Sequence, residues 1–422
     1  MKVLYVARLF SGIESSLIVQ EWRPTGVPAV FKMIEAIERG NNNLRLVFTC
    51  KDYEEQWKEK IDRTLKVKGL NTKITVLSGS KGFYSKLIKI RGLIREIRQT
   101  YGIRRICREF QPDILYIDRV NFIPAAFFAR YSGIPVVLRL MGVGTPFLKE
   151  ILSDNRKKLI NKIARWAYRS PFAFVICTQD GSGAESWLAT LINRSIPRKL
   201  LINGVDVEKP SCLIDQRLAG LPEDRTTVFF VGRLEKLKGC EEFLWAFLIA
   251  NGNAKKQLHA VIVGDGSLDG SLWEIVEKNS AREHVTFIKE LPHKQIIYAN
   301  LRADIYVSLN RGGNLSNANL EAMKTGCCMI FPASQPDHDI DIITDKLIPL
   351  DAAIRISDPD NIQALADAIL LLHRNPKKRL ELGVKMKKAA EKFIPSWEER
   401  ISDEIEILQC VASGREKFRA LK

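Results

Sequence analysis

Short apolar runs of strand length alternate with amphipathic segments along the whole chain. This alternation is typical of βα units, in which helices cover both faces of a parallel sheet. The strand-like runs are residues 3–7, 44–49, 74–77, 114–117, 136–140 and 174–178 in the first half, and 227–231, 259–263, 285–288, 305–309 and 327–331 in the second. The sequence therefore predicts an α/β fold with two doubly wound, Rossmann-like sheets.

The length also favours two domains, because 422 residues exceed the roughly 250 to 300 at which a single hydrophobic core stops growing. We predict a Rossmann-like domain at 1–202, a linker at 203–225, a second Rossmann-like domain at 226–395 and a C-terminal helix at 396–422. Ligands of open α/β sheets bind at the carboxyl ends of the strands. We therefore expect the active site in a cleft between the domains.

The chain is basic, with 65 Lys and Arg against 49 Asp and Glu and a net charge of +16, which favours an anionic partner. Residues 81–110 and 149–169 carry much of this charge. In the first segment an apolar stripe recurs at helical spacing among the cations; its members are Leu87, Ile90, Ile94, Ile97 and Tyr101. Two interpretations stay open: the helix contacts acidic lipid, or its stripe packs on the sheet while the cations face water. Nucleic-acid binding is not expected, because the charge alone suggests it.

The remaining sequence features predict a cytoplasmic protein without a metal site. The eight cysteines form no C-x-x-C pair and are expected to be buried thiols in a reducing compartment. The N-terminus resembles a strand and not a signal peptide. Arginines and prolines interrupt the longest apolar stretch, 120–143, so membrane contact is expected to be peripheral. Asp339 and Asp341 resemble a metal-binding Asp-x-Asp pair but lie in a doubly wound pattern, and the five histidines are scattered. No metal or cofactor is expected.

The strongest local motif follows the strand at 227–231, where Gly232 and Arg233 precede Lys238 and an amphipathic helix. A guanidinium offers a fork of donors to phosphate oxygens, and a lysine adds a mobile positive charge. The pair suits a diphosphate that gains charge on leaving. The alternative is an ordinary solvated βα loop.

A second motif follows the strand at 305–309. Its glycine-rich loop leads into a helix, and the residues of interest are Gly313, Asn314, Leu315, Ser316 and Asn317. Glycines allow a ligand to approach the backbone, and the N–H groups at a helix N-terminus bind anions. Glu321 lies one turn further on and is suited to accept hydrogen bonds from vicinal hydroxyls. The alternative for Glu321 is an acid that the helix dipole favours.

These motifs resemble the nucleotide-sugar domain of the family 4 retaining glycosyltransferases, which have the GT-B fold. The matching blocks are Gly232–Arg233–Leu234 with Lys238–Gly239, Gly264–Asp265–Gly266, 285–288 with Leu291–Pro292, Ala303–Asp304, and Leu320–Glu321–Ala322–Met323 with Gly326. Weaker matches are 203–206, between the domains, and 396–398, before a helix that in this family crosses back to the first domain. The likeness is specific between about 203 and 326.

The resemblance implies a role for each matched residue. Arg233 and Lys238 would bind the donor diphosphate as leaving group, and Glu321 would hold the ribose hydroxyls. Backbone at Ile288 and Lys289 would meet the base. The loops at Gly232, Gly264 and Gly266 would contact the donor, and the amides of residues 313–317 would contact the sugar and phosphates. The family needs no divalent cation, and the leaving phosphate helps to deprotonate the acceptor.

The chain departs from the family pattern at two positions. Gly313 replaces a glutamate that usually contacts the transferred sugar, and Met141–Gly142 replaces a His–Gly pair that faces the sugar. Arg139 and the loop from Met141 to Gly144 are the candidates to serve instead of that histidine. On the acceptor side, Gly26 precedes a helix that Pro28 would start, although a plain βα connection fits equally.

The sequence thus predicts a retaining glycosyltransferase that uses a UDP- or GDP-sugar. Its acceptor would be a hydroxyl of a lipid-linked saccharide or a surface polysaccharide precursor, with the protein peripheral on the inner face of the plasma membrane. The alternatives are a non-catalytic, partner-binding GT-B subunit and a nucleotide-sugar epimerase.

Overall fold

The computed structural model describes residues 1–40, 42–50, 64–79, 91–152, 158–207 and 214–414. The chain forms two compact units. Unit 1 contains Met1–Thr178, Ala184–Leu201 and the chain from Trp397 onward, and unit 2 contains Gln179–Gly183 and Ile202–Ser396. Each unit has its own sheet.

In its described part, unit 1 is built on an eight-stranded sheet of order β3-β4-β2-β1-β5-β6-β7-β8, and of these strands only β3 is antiparallel to its neighbour. The strands are β1 (Lys2–Arg8), β2 (Asn43–Thr49), β3 (Thr64–Leu65), β4 (Lys73–Leu77), β5 (Ile114–Asp118), β6 (Val136–Leu140), β7 (Phe174–Thr178) and β8 (Arg198–Leu201). The helices are α1 (Ser11–Val19), α2 (Pro28–Arg39), α3 (Arg91–Phe110), α4 (Phe122–Tyr131), α5 (Pro146–Leu152), α6 (Leu159–Tyr168) and α7 (Ala184–Leu191). Every residue of β5, β6 and β7 is buried, as expected for parallel strands covered on both faces.

Unit 2 has a six-stranded parallel sheet of order β11-β10-β9-β12-β13-β14. Its strands are β9 (Thr226–Val231), β10 (Leu258–Val263), β11 (Val285–Ile288), β12 (Ile305–Val307), β13 (Met329–Pro332) and β14 (Ile354–Ile356). Its helices are α8 (Gln216–Ala219), α9 (Cys240–Asn253), α10 (Asp269–Lys278), α11 (His293–Arg302), α12 (Asn317–Thr325), α13 (Ile342–Leu347), α14 (Ile362–Arg374) and α15 (Pro376–Phe393). The strand order reverses between β9 and β12, which makes this the point where a doubly wound sheet binds its ligand.

The segment predicted as a linker belongs to unit 2. Val205 and Leu218 are buried in the core of that unit, and the N–H of Val205 donates to the carbonyl of Pro395 over 2.9 Å. Residues 208–213 of the segment lie outside the described part of the chain. Two short apolar anchors thus fix residues 203–207 and 214–225 to the core of unit 2, which a polar composition alone does not reveal.

The last helix, α16 (Trp397–Ala412), returns to unit 1, where it packs against α2 and β5. Its inward side chains include Glu404, which is fully buried beside Arg139, Arg400 and Tyr116. The described cysteines form no disulfide, and all of them except Cys410 are buried as predicted. Cys410 is half-buried and departs from the prediction, and Cys212 lies outside the described residues. Within the described part of the chain, every helix is too short or too polar to cross a membrane.

Candidate functional site

The loops that follow β9 and β10 in unit 2 contact each other through their backbones. The N–H of Gly232 donates to Val263 over 3.0 Å, and that of Leu234 donates to Asp265 over 2.9 Å. A Cβ atom on Gly264 would lie 1.9 Å from the carbonyl oxygen of Gly232, and one on Gly266 would lie 2.4 Å from that of Leu234. The structure therefore brings together the three predicted glycines, and at positions 264 and 266 only glycine permits this close approach.

The two predicted cations lie beside each other after β9. Arg233 is exposed and pairs with Glu235, with 3.0 Å between Nη1 and Oε1. Lys238 is half-buried in a short 3₁₀ turn. Burial and the charge of Arg233 lower the pKa of Lys238, and the opposing effects of Asp180 and Glu235 are smaller. Two neighbouring cations at the end of a strand form a site that an anion stabilises.

The loop after β12 is tied to this turn. Arg311 donates from Nη1 to the carbonyl of Lys236 over 2.9 Å, and a Cβ atom on Gly239 would lie 2.5 Å from the side chain of Leu309. The two predicted motifs therefore meet at the point where the strand order reverses. Ser316 is the N-cap of α12, so the first N–H groups of that helix lie at the same edge of the sheet.

Two residues of the glycine-rich loop have a structural role. Asn314 is fully buried and donates its N–H and its Nδ2 to the two carboxylate oxygens of Asp341, both over 2.7 Å. The N–H of Leu315 donates to the carbonyl of Asp180 over 3.2 Å. These N–H groups already have acceptors inside unit 2, which corrects the prediction that the amides of Asn314 and Leu315 bind a ligand. Gly313, Ser316 and Asn317 remain the candidates.

Asp341 holds the glycine-rich loop in place. Besides Asn314, the hydroxyl of Thr344 donates to its carboxylate over 2.7 Å. Burial raises the pKa of Asp341 to about 6. Among the described residues, no group of three or more His, Cys, Asp or Glu side chains is arranged to hold a metal ion.

Glu321 lies on α12 with only 8% of its surface exposed, and burial raises the pKa of its carboxyl to about 8. Its Oε1 is 3.3 Å from Nδ1 of His293, the first residue of α11. Sequence reasoning treated every histidine as a loop or packing residue and so missed this contact. The sequence feature that could have indicated this contact is the position of His293, directly after the Leu291–Pro292 block.

The predicted base-contacting residues lie at the end of β11, next to the loop after β10. Ile288 is buried and its carbonyl accepts from the N–H of Gly264 over 2.9 Å. Lys289 is exposed and pairs with Asp265, with 3.2 Å between Nζ and Oδ2. Residues 288 and 289 therefore share an edge of unit 2 with the loop at Gly264.

Arg139 is the clearest error among the predicted site residues of unit 1. Its side chain is completely buried, its Nε is 2.7 Å from Oε1 of Glu404, and its Nη2 donates to Thr178 over 2.8 Å. The nearby negative charge of Glu404 raises the pKa of Arg139 despite burial. The guanidinium therefore has its ion pair and hydrogen bonds inside the unit and is a buried structural group, not a substrate contact.

The other predicted residues of unit 1 lie in loops after strands. Met141 and Gly142 follow β6 directly; Met141 is half-buried and Gly142 has a φ of 84°. Gly26 has a φ of 88°, and α2 begins at Pro28 as predicted. The N–H of Thr25 donates to Gly12 over 2.9 Å, which fixes this loop against the start of α1.

Sequence comparison finds related proteins. Residues 214–393, somewhat less than half of the chain, match the family model described as Glycosyl transferases group 1. An uncharacterized glycosyltransferase of Methanocaldococcus jannaschii is 24% identical over 250 residues, which make up 54% of this chain and 57% of that protein. The alignment thus spans little more than half of either protein.

Structure comparison covers nearly the whole chain. Sucrose-phosphate synthase from Thermosynechococcus elongatus has a TM-score of 0.71 at 14% identity and covers 98% of this chain and 100% of that structure. HepE from Anabaena, solved with UDP and glucose, has a TM-score of 0.65 at 13% identity, with coverages of 97% and 99%. The predicted GT-B fold is confirmed, and so is the resemblance to GT-B glycosyltransferases of group 1.

Proposed function

We propose that this protein, a group 1 glycosyltransferase by its domain match and a GT-B protein by its fold, transfers a sugar from a nucleoside diphosphate sugar to a hydroxyl acceptor with retention of configuration. One observation carries the proposal. Arg233 and Lys238 follow β9, the N-terminus of α12 follows β12, and both lie where the strand order of unit 2 reverses. Cations and helix N–H groups there suit a diphosphate.

The proposed chemistry is stabilisation of the leaving group. Arg233 and Lys238 neutralise the charge that develops on the diphosphate as the glycosidic bond breaks, so the reaction needs no metal ion. Glu321 accepts hydrogen bonds from the ribose hydroxyls, and the first turn of α12 binds phosphate oxygens. The departing phosphate takes the proton of the acceptor on the same face of the sugar. UDP is the first nucleotide to test, because the similar structure of HepE was solved with UDP and glucose.

The test is transfer from a panel of UDP- and GDP-sugars with EDTA present. We expect Arg233→Ala and Lys238→Ala each to lower kcat/KM by about 100- to 1,000-fold. Lys236→Ala removes a neighbouring cation of the same 3₁₀ turn and is the matched control, with activity near that of the wild type. Undiminished transfer by both alanine variants contradicts the proposal.

The same assay separates the alternatives. A new nucleotide-sugar isomer formed without acceptor identifies an epimerase. Binding of donor without turnover or hydrolysis identifies a partner-binding subunit. NMR of the product gives the anomeric configuration, and inversion excludes a retaining mechanism.

We further propose that the acceptor is lipid-linked and that α3 holds the protein on an anionic membrane surface. Leu93, Ile97 and Tyr101 lie one turn apart on α3 and are 48, 59 and 70% exposed. Exposed arginines follow this stripe in the next two turns of the same helix: Arg104, Arg105 and Arg108. Anionic headgroups attract basic segments by about 1 kcal/mol per nearby Lys or Arg. Leu87 and Ile90 of the predicted stripe lie outside the described residues, and Ile94 is half-buried.

Flotation with vesicles that contain phosphatidylglycerol tests the membrane proposal. We expect a variant with Arg104, Arg105 and Arg108 changed to Gln to lose flotation. A variant with Arg374, Lys377 and Lys378 changed to Gln removes the same charge from an exposed part of unit 2 and is the control. Equal loss in both variants indicates net charge alone, and no loss in either rejects α3 as the contact.

A further inference from the structure

A cavity of about 670 Å³ opens at the amino ends of β2 and β4 in unit 1. The first residues of these strands, Asn43 and Lys73, line it, together with residues from the last turns of α2 and α3. This volume is typical of a site for a small ligand. The proposed donor site belongs to unit 2, and Met141 and Gly142 of unit 1 follow the carboxyl end of β6. The cavity at the amino ends of the strands is therefore a separate site.

Arg45 lines this cavity and has unused hydrogen-bond donors. Its Nη2 donates to the hydroxyls of Thr64 and Thr75, over 3.2 and 3.3 Å. Its Nε is buried and has no hydrogen-bond partner among the described residues. A guanidinium has five N–H donors, and a buried donor without an acceptor costs free energy. Oxygen atoms of a ligand in the cavity would supply this guanidinium with acceptors.

The charged groups around the cavity balance one another. Two cations line it, Arg45 and Lys73, and there are also two carboxylates, those of Glu38 and Glu109. The carboxylate of Glu38 is fixed in the wall, because its Oε1 accepts from the N–H and the hydroxyl of Thr72, over 2.8 and 2.7 Å. A site with excess positive charge attracts phosphates and other anions. The balanced charges of this cavity favour a neutral polar ligand instead.

The uncharged part of the lining suits a saccharide. Asn43 and Asn71 are exposed at the cavity, and each amide has two N–H donors and a carbonyl acceptor. Sugar hydroxyls both donate and accept hydrogen bonds, so amides of this kind match them. Ile106 and Phe110, from the end of α3, provide an apolar surface on which the C–H groups of a sugar ring can pack.

We propose that this cavity binds a neutral saccharide at a site separate from the one that transfers the sugar. Oxygen atoms of the saccharide accept from Arg45, its hydroxyls pair with the amides of Asn43 and Asn71, and its ring packs against Phe110. The choice of a saccharide among neutral polar ligands rests on the proposed function, because an enzyme that transfers sugars meets saccharides as acceptors and products. A second saccharide site strengthens the binding of chains that are long enough to occupy both sites.

Saturation-transfer NMR on the full chain tests the proposal with neutral probes: glucose, galactose, mannose, N-acetylglucosamine, maltose and lactose. We expect saturation transfer to at least one of them. Asn43→Ala and Asn71→Ala should each weaken binding of that probe about 3- to 10-fold, because a hydrogen bond is lost. Gln409→Ala removes an exposed amide from α16, elsewhere in unit 1, and is the matched control with the affinity of the wild type.

Two further measurements locate the site and test its preference for neutral ligands. A variant with both Arg233→Ala and Lys238→Ala should bind the probe as the wild type does, whereas loss of binding in this variant places the saccharide at the donor site and overturns the inference. The uronic acid and the 6-phosphate of the best neutral probe should bind more weakly than the probe itself. Tighter binding of either one contradicts the preference for a neutral ligand.

The inference is also overturned if no probe receives saturation, or if Asn43→Ala and Asn71→Ala both bind as tightly as Gln409→Ala. Saccharide binding is measured without any transfer reaction, so its outcome is distinct from that of the proposed function. A protein that binds the probe through Asn43 and Asn71 but transfers no sugar retains this site, and only the proposed function fails.

Discussion

The carboxyl of Glu321 has an unusual environment for a group proposed to bind hydroxyls. Because burial raises its pKa to about 8, it is mostly protonated at pH 7 in the free protein. Ribose hydroxyls that donate hydrogen bonds favour the ionised form, so ligand binding lowers the pKa of this group. The site therefore couples nucleotide binding to loss of a proton.

We predict that binding of the nucleotide at pH 7 releases up to one proton and that affinity rises between pH 6 and pH 8. Calorimetry in two buffers with different ionisation enthalpies measures this release. Glu321→Gln should bind more weakly and lose most of the release, while Glu290→Gln, an exposed acid after β11, should behave as the wild type. Proton uptake on binding would contradict the assignment of Glu321.

Sequence reasoning located residues whose role depends on local position. Gly232, Arg233 and Lys238 follow a recognisable strand, and Glu321 follows a loop and helix start, so their common edge of the sheet was predictable. Arg139 was not, because its partner Glu404 lies on the last helix, far away in sequence. A pattern of apolar runs contains no information on such distant side-chain pairs.

At the scale of elements, the interior strands were predictable and several edge strands were not. The predicted ranges of the interior strands β6 and β7 equal the observed ones, and so does that of the edge strand β11, because an apolar run marks each of these strands. The strands missed were β3, β8 and β14, which all lie at the edges of their sheets. They are short, and β8 and β14 carry Arg198, Lys199 and Arg355, so only pairing with a neighbour makes them strands.

The contact between residues 179–183 and the glycine-rich loop also belongs to this scale, and it makes a stability prediction. We predict that Gly313→Ala lowers the free energy of unfolding by about 1–3 kcal/mol, since its φ of 116° and the carbonyl of Asp180 both oppose a Cβ atom. Gly312→Ala is the control, because the nearest atom to its Cβ would be 3.6 Å away. Urea denaturation measures both. Equal stability of the two variants would show that the loops separate easily.

At the scale of the whole molecule, the last helix of the chain, α16, completes the core of unit 1. Tyr116 on β5 and Glu404 on α16 are 288 residues apart in sequence and share a hydrogen bond. Glu404 also pairs with Arg139 on β6 and with Arg400 on its own helix. Although burial acts to raise the pKa of Glu404, the two guanidinium groups lower it, so the group is ionised.

This cluster makes the stability of the first sheet depend on the last helix. Glu404→Ala leaves two buried arginines without their carboxylate, and loss of one partner from a buried ion pair costs about 3–5 kcal/mol. We predict faster hydrogen exchange in β1, β5, β6 and α16, with little change in the strands of unit 2, because the cluster lies entirely within unit 1. Glu406→Ala removes an exposed carboxylate from the same helix and should change neither region. If Glu404→Ala accelerates exchange equally in β9 and β10, the two units do not unfold independently, and the cluster supports the entire fold.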